Sequence, residues 1–158
     1  MGTITPCLWF DGQAEEAAEL YTSLVKNSRI VSVSRAGQDP GDAALTVSFE
    51  LDGQPFVALN GGPLYSFTEA VSFQITCETQ EEVDRYWEAL TEGGEESMCG
   101  WLKDRYGLSW QVVPAGMEEV FADPDPARAQ RAMQAMLGMR KLDLAALQAA
   151  ADGTVPVG

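Results

Sequence analysis

The feature that most limits the fold is an internal repeat. Shifted by 66 positions, the stretch CLWFDGQAEEAAELYTSL (7–24) falls on FQITCETQEEVDRYWEAL (73–90). Identity is weak but the pattern is regular, with Ala17 on Val83, Leu20 on Tyr86, Tyr21 on Trp87 and Leu24 on Leu90. Apolar positions at i, i+3, i+4 and i+7 make one buried helix face, and that face appears twice. Each follows a short apolar run, so the repeated unit is a strand and then a helix. The acidic residues Glu15, Glu16 and Glu19, and Glu81, Glu82 and Asp84, fall early in the helices, where solvated carboxylates suit the positive end of the dipole. Thr79 with Glu82 three residues on reads as a capping box.

After each helix the pattern changes to period two. RIVSVSRA (29–36), ALTVSFELDG (44–53) and QPFVALNGG (54–62) are β-branched and aromatic runs, the last two separated by a tight Asp52-Gly53 turn. The first unit is therefore βαβββ. In the second, Gly93-Gly94 ends the helix and EESMCGWLKD and RYGLSWQVVP follow, the same order with at least one fewer clear strand. The segment GGPLYSFTEA (61–70) is the natural module boundary. Beyond Pro114 the chain turns helical, and Met133, Met136, Leu137 and Arg140 share one helix face, read as packing surface or equally as a dimer contact. The reading is a single domain over 1–158, with module 1 over 3–62, module 2 over 70–115 and a C-terminal helical segment over 117–151.

Composition excludes whole classes of function. The 158 residues, 46% of them hydrophobic, suffice for one substantial core. A net charge of −14 repels polyanions, so nucleic acid is not an expected partner. No apolar stretch reaches the roughly 20 residues that span a bilayer, and MGTITPCLWF is no signal peptide, so a cytoplasmic protein without membrane contact is expected. The three scattered cysteines form no disulfide framework or metal knuckle and are read as buried thiols. Histidine is absent, which removes Ser-His-Asp and Cys-His catalysis and imidazole-held zinc. No glycine-rich phosphate loop opens a helix after a strand. Cys99, without a histidine to activate it, is a weak candidate nucleophile.

Four stretches in order, LNGGP (59–63), SFQITCETQEEVDRYW (72–87), CGWLKDRYGLSWQVVP (99–114) and MLGMRKLDLAAL (136–147), resemble the PhnB-like branch of the vicinal oxygen chelate superfamily. That superfamily holds the glyoxalase, bleomycin-resistance and extradiol-dioxygenase proteins. The resemblance implies an α+β fold in which two βαβββ modules form an incomplete mixed β-barrel, a cup with helices outside and, here, C-terminal helices beyond. It also implies a homodimer. Members of the branch are often labelled 3-demethylubiquinone-9 3-methyltransferase, but this chain has no glycine-rich strand-to-helix loop for a nucleotide cofactor, so methyl transfer is not expected.

In metal-bearing members of the superfamily the ion sits in the cup on four strand positions, which the resemblance transfers onto Pro6, Ala58, Ser72 and Gln111. Proline and alanine offer no ligand, and a neutral amide is a weak one, so no metal and no other cofactor is expected. Alternation along the strands then puts Leu8 and Phe10 with Pro6, Phe56 and Asn60 with Ala58, Gln74 and Thr76 with Ser72, and Ser109 and Val113 with Gln111. The opposite faces, with Cys7, Trp9, Val57, Leu59, Phe73, Ile75, Cys77, Trp110 and Val112, are expected to lie against helices. The cup lining of Phe10, Phe56, Asn60, Ser72, Gln74 and Gln111, with Trp101 open to either reading, suits a small organic molecule. No catalytic constellation is visible. A metal-dependent lyase, isomerase or dioxygenase of the same superfamily is the first alternative, and a dimeric interaction protein with a vestigial cup is the second.

Overall fold

The computed structural model describes residues 2–154; the outermost positions of the single-domain range lie outside the described residues. The elements are β1 (Cys7–Phe10), α1 (Ala14–Leu24), β2 (Arg29–Arg35), β3 (Ala44–Leu51), β4 (Gln54–Asn60), β5 (Ser72–Cys77), α2 (Gln80–Thr91), β6 (Glu95–Glu96), β7 (Trp101–Lys103), β8 (Ser109–Pro114), α3 (Met117–Phe121), α4 (Pro126–Leu137) and α5 (Leu144–Ala151). The chain divides between Phe67 and Thr68 into two compact units, inside the glycine-bearing connector. Each unit has one four-stranded mixed sheet, ordered β1-β4-β3-β2 in the first and β5-β8-β7-β6 in the second. In both, the first strand pairs parallel with the last, and the rest pair antiparallel. The second unit thus has the full βαβββ order, its second strand cut to the two residues of β6.

That strand is short for a local reason. In the loop that follows it, the N–H groups of Cys99 and Gly100 donate to the carbonyls of Met139 and Arg140 rather than to a neighbouring strand. Gly100 is left-handed at φ 83°, and a Cβ there would meet Leu142 at 2.7 Å and the Val112 carbonyl at 2.9 Å. The C-terminal segment is therefore stitched into the second unit, where Ala132, Leu142 and Leu147 are fully buried.

Both helices bury a predicted face, with small differences. Val83, Tyr86, Trp87 and Leu90 of α2 are buried as spaced, whereas α1 buries Ala14, Ala17, Ala18 and Tyr21 and leaves Leu20 and Leu24 half-exposed. Thr79 caps α2 by accepting from the Glu82 N–H, while Glu82 reaches back to the N–H of Glu78, one residue earlier than a capping box requires.

The faces of the first sheet are opposite to expectation. Phe56 stacks on Phe49 with ring centroids 5.3 Å apart, and Phe49 meets Tyr21 of α1, so Phe56, Ala58, Leu8 and Phe10 lie on the helix-covered side. Ala58 is completely buried there and Phe10 is 2% exposed. Cys7, Trp9, Val57 and Leu59 occupy the other face, and Cys7 is exposed rather than a buried thiol. The cause is one residue. Three residues join β1 to α1 and two join β5 to α2, so helices match at an offset of 66 and the preceding strands at 67. The carbonyls of Phe10 and Cys77, each ending its strand, accept from Gly61 and Ala115 and mark the equivalence. A slip of one residue turns every side chain of a strand over.

Candidate functional site

In the second unit the alternation holds. Phe73, Trp110 and Leu102 share a row and a face, with Glu96 beside Leu102. That face meets α2, because Trp87 Nε1 donates to Glu96 Oε1 at 2.8 Å. Trp110 is core: 3% exposed, 5.7 Å from the Phe73 ring, its indole N–H held by Asp104 at 2.9 Å. Asp104 also accepts from the N–H groups of Tyr106 and Leu108, which closes the β7–β8 turn.

The opposite face carries the polar groups. One row holds Gln74, Gln111 and Trp101, and the next holds Ser72, Ser109, Lys103 and Glu95. Gln111 Nε2 donates to Ser72 Oγ at 2.9 Å, which fixes that amide and leaves its carbonyl oxygen to a further donor. Gln74 is exposed, whereas Ser72, Gln111, Trp101 and Lys103 are half-buried. Lys103 pairs with Glu69, and the ion pair holds the Glu69 carboxyl below, and the Lys103 ammonium above, the ordinary values. A hollow of about 150 Å³ opens beside this pair, lined in part by Trp101, Lys103 and Ser109. Ser109 is 1% exposed and its hydroxyl has no hydrogen-bond partner.

Of the residues read as cup lining, the structure therefore brings Ser72, Gln74, Trp101 and Gln111 together. Phe10, Phe56 and Asn60 belong elsewhere. Asn60 Oδ1 accepts from the N–H of Ala14 at 2.8 Å and its Nδ2 donates to the Ala44 carbonyl at 2.9 Å, so both ends of the amide serve α1 and the sheet. It supplies the start of α1 with the acceptor that Gln13, at the N-cap, does not. The rest of LNGGP is structural too: a Cβ on Gly61 would strike the Trp9 ring at 2.3 Å, and the Gly62 carbonyl accepts from Trp9 Nε1 at 2.8 Å. Lys103 is a residue of this face that sequence reasoning missed, although it stands two positions from Trp101, the spacing that keeps side chains on one face.

Of the four transferred metal positions, two lie in each unit. Pro6 and Ala58 carry no donor and Ala58 is sealed under α1, while Ser72 Oγ already accepts from Gln111. Allowing for the strand offset of 67 puts Thr5 in place of Pro6 and Val57 in place of Ala58, one hydroxyl and no second side-chain donor in the first unit. Among the described residues no three cysteine, aspartate or glutamate side chains converge to hold an ion. Nor is any described helix long and apolar enough to cross a membrane.

Two βαβββ units, each a mixed four-stranded sheet with a helix on one face, define the glyoxalase and bleomycin-resistance fold of the vicinal oxygen chelate superfamily. Solved structures agree: the PhnB protein of Bacillus cereus is 39% identical with a TM-score of 0.66, over 72% of this chain and 100% of that one. A protein from Pseudomonas aeruginosa is 21% identical with a TM-score of 0.61, over 72% of this chain and 98% of its own. The fosfomycin resistance protein FosX of Mesorhizobium loti, 15% identical, matches the fold with a TM-score of 0.55 over 77% of this chain and 97% of that one. No curated protein matches. The family model described as 3-demethylubiquinone-9 3-methyltransferase matches residues 2–113, and the chain belongs to that PhnB-like family. The match ends ahead of α3, α4 and α5.

Proposed function

We propose that this chain is a small-molecule-binding member of the PhnB-like family, its ligand held on the polar face of the second sheet by Gln74, Gln111 and Trp101, with Ser72 positioning Gln111. One observation supports the reading above others. The α2-facing side of this sheet is packed with aromatic and aliphatic groups, whereas the other side presents amide, hydroxyl and indole groups in two adjacent rows. An aromatic wall with a few fixed hydrogen-bonding groups is the chemistry of a small organic ligand site. Methyl transfer does not belong to the proposal, since neither sheet is the doubly wound parallel type on which dinucleotide-like cofactors sit. Nor does the metal chemistry of the wider superfamily. The protein is taken to act as a homodimer.

The test is a thermal-shift screen of small organic compounds, amines and neutral amides among them, followed by calorimetry on Gln111→Leu and on Asn60→Leu. Gln111→Leu is expected to weaken the best ligand at least tenfold. Asn60→Leu lowers stability and leaves the affinity of the folded protein unchanged. Equal affinities in wild type and Gln111→Leu would remove the second sheet from the account. One tightly held divalent ion per chain, found by elemental analysis of freshly purified protein, would favour the metal-dependent enzyme instead.

A further inference from the structure

We propose that the hollow at the β6–β7 end of this face selects a small organic cation, a primary ammonium group seated between the Trp101 ring, the Ser109 hydroxyl and the Glu95 carboxylate. The inference rests on the ligand face described above and names the chemical class it takes.

Ser109 carries the argument. A buried hydroxyl left without a partner costs free energy, and such groups in native proteins call for an explanation. Ser109 is 1% exposed, its Oγ has no partner, and it lines the hollow. A hydroxyl oxygen accepts from an ammonium N–H, so a bound primary amine satisfies it. The charges then choose the sign. Three carboxylates, Glu69, Glu95 and Glu96, line the hollow against one ammonium, that of Lys103. Glu96 is already engaged, accepting from Trp87 Nε1 at 2.8 Å and pairing with Arg140 at 3.5 Å. Lys103 is held by Glu69, and Glu95 lies directly opposite Lys103 in register. Two carboxylates thus share one cation, and the remainder is negative. An anionic ligand has to break the Lys103–Glu69 pair and then sit beside Glu95. An ammonium replaces no existing pair, and Trp101 offers it an aromatic face. The net charge of −14 raises the local concentration of cations further. At about 150 Å³ the hollow suits a molecule of a few heavy atoms.

The experiment is a two-dimensional amide NMR titration with three probes of one size and different charge: n-butylammonium, n-butanol and butyrate. Saturable shifts at Ser109, Glu95 and the Trp101 indole with n-butylammonium alone are expected. Binding should weaken at least tenfold in Ser109→Ala, which removes only an unpartnered hydroxyl and keeps the fold, and again in Glu95→Gln. If butanol or butyrate saturates the same residues as well as butylammonium does, the cation is the wrong class while the ligand face stands. The cation is equally the wrong class if butylammonium is silent and a neutral amide shifts Gln74 and Gln111. Silence from Gln74, Gln111 and Trp101 toward all of these compounds would remove the face and the cation together.

Discussion

Asp104 shows how much one side chain settles at the residue scale. It is 3% exposed and accepts from the N–H groups of Tyr106 and Leu108 and from the Trp110 indole. Its backbone also exchanges hydrogen bonds with Gly107 and Leu108 across the turn. The DRYGL turn is therefore a clamp that sets the register of β8 and hence the direction of Gln111. Replacing Asp104 by alanine leaves buried donors without acceptors, and we expect a loss of about 2–4 kcal/mol in urea unfolding. An unchanged midpoint would contradict the clamp. Asn60 is the complementary case. A polar residue at a strand end reads as cavity lining, but its amide is consumed by Ala14 and Ala44. Sequence offers no sign of that use, because the acceptor need of a helix start is met here from a strand 46 residues away.

At the scale of elements, the helices are legible in the sequence and one strand is not. The period of 3.6 marks Val83, Tyr86, Trp87 and Leu90, since the other side of α2 is charged. In the second sheet, polar and apolar residues alternate along β5 and β8, which assigns Gln74 and Gln111 to the face away from α2. In β1 and β4 both faces are apolar, with Leu8, Phe10, Phe56 and Ala58 on one and Trp9, Val57 and Leu59 on the other. Nothing in the pattern distinguishes them, and the extra residue before α1 reverses the assignment. The C-terminal segment is likewise more than an accessory. Met133 and Leu137 are exposed, but Leu142 packs on Gly100 and the 99–100 loop bonds to residues 139–140. Truncation after Met117 is expected to unfold or severely destabilise the second unit, judged by loss of the near-ultraviolet circular dichroism signal of its tryptophans. A truncated chain with native signal and native stability would refute this integration.

For the whole molecule, the repeat predicts two similar units, while the residues make their exposed sheet faces chemically different. Where the second sheet sets Gln74 beside Gln111, the first sets Cys7 beside Val57. One fold copied twice thus carries one polar face, the one proposed above to hold the ligand. The thiols differ between the units: Cys7 in the first is exposed and is expected to react with a thiol reagent ahead of the half-buried Cys99 and the buried Cys77 in the second, and burial pushes the Cys77 thiol up to about 11. A thiol whose pKa is raised by folding stabilises fully below its ordinary value of 9.0 and loses that contribution as pH rises toward 11. The stability advantage of wild type over Cys77→Ala should therefore be level to pH 9 and shrink above it. A constant advantage across that window would contradict the burial effect. The most direct measurement of the central claim follows the side-chain amide signals of Gln74, Gln111 and Asn60, with the Trp101 indole, by NMR as a screened ligand is added. Saturable shifts of the two glutamines and of Trp101 are expected while Asn60 stays still, and the contradicting result is an Asn60 response with Gln74 and Gln111 silent.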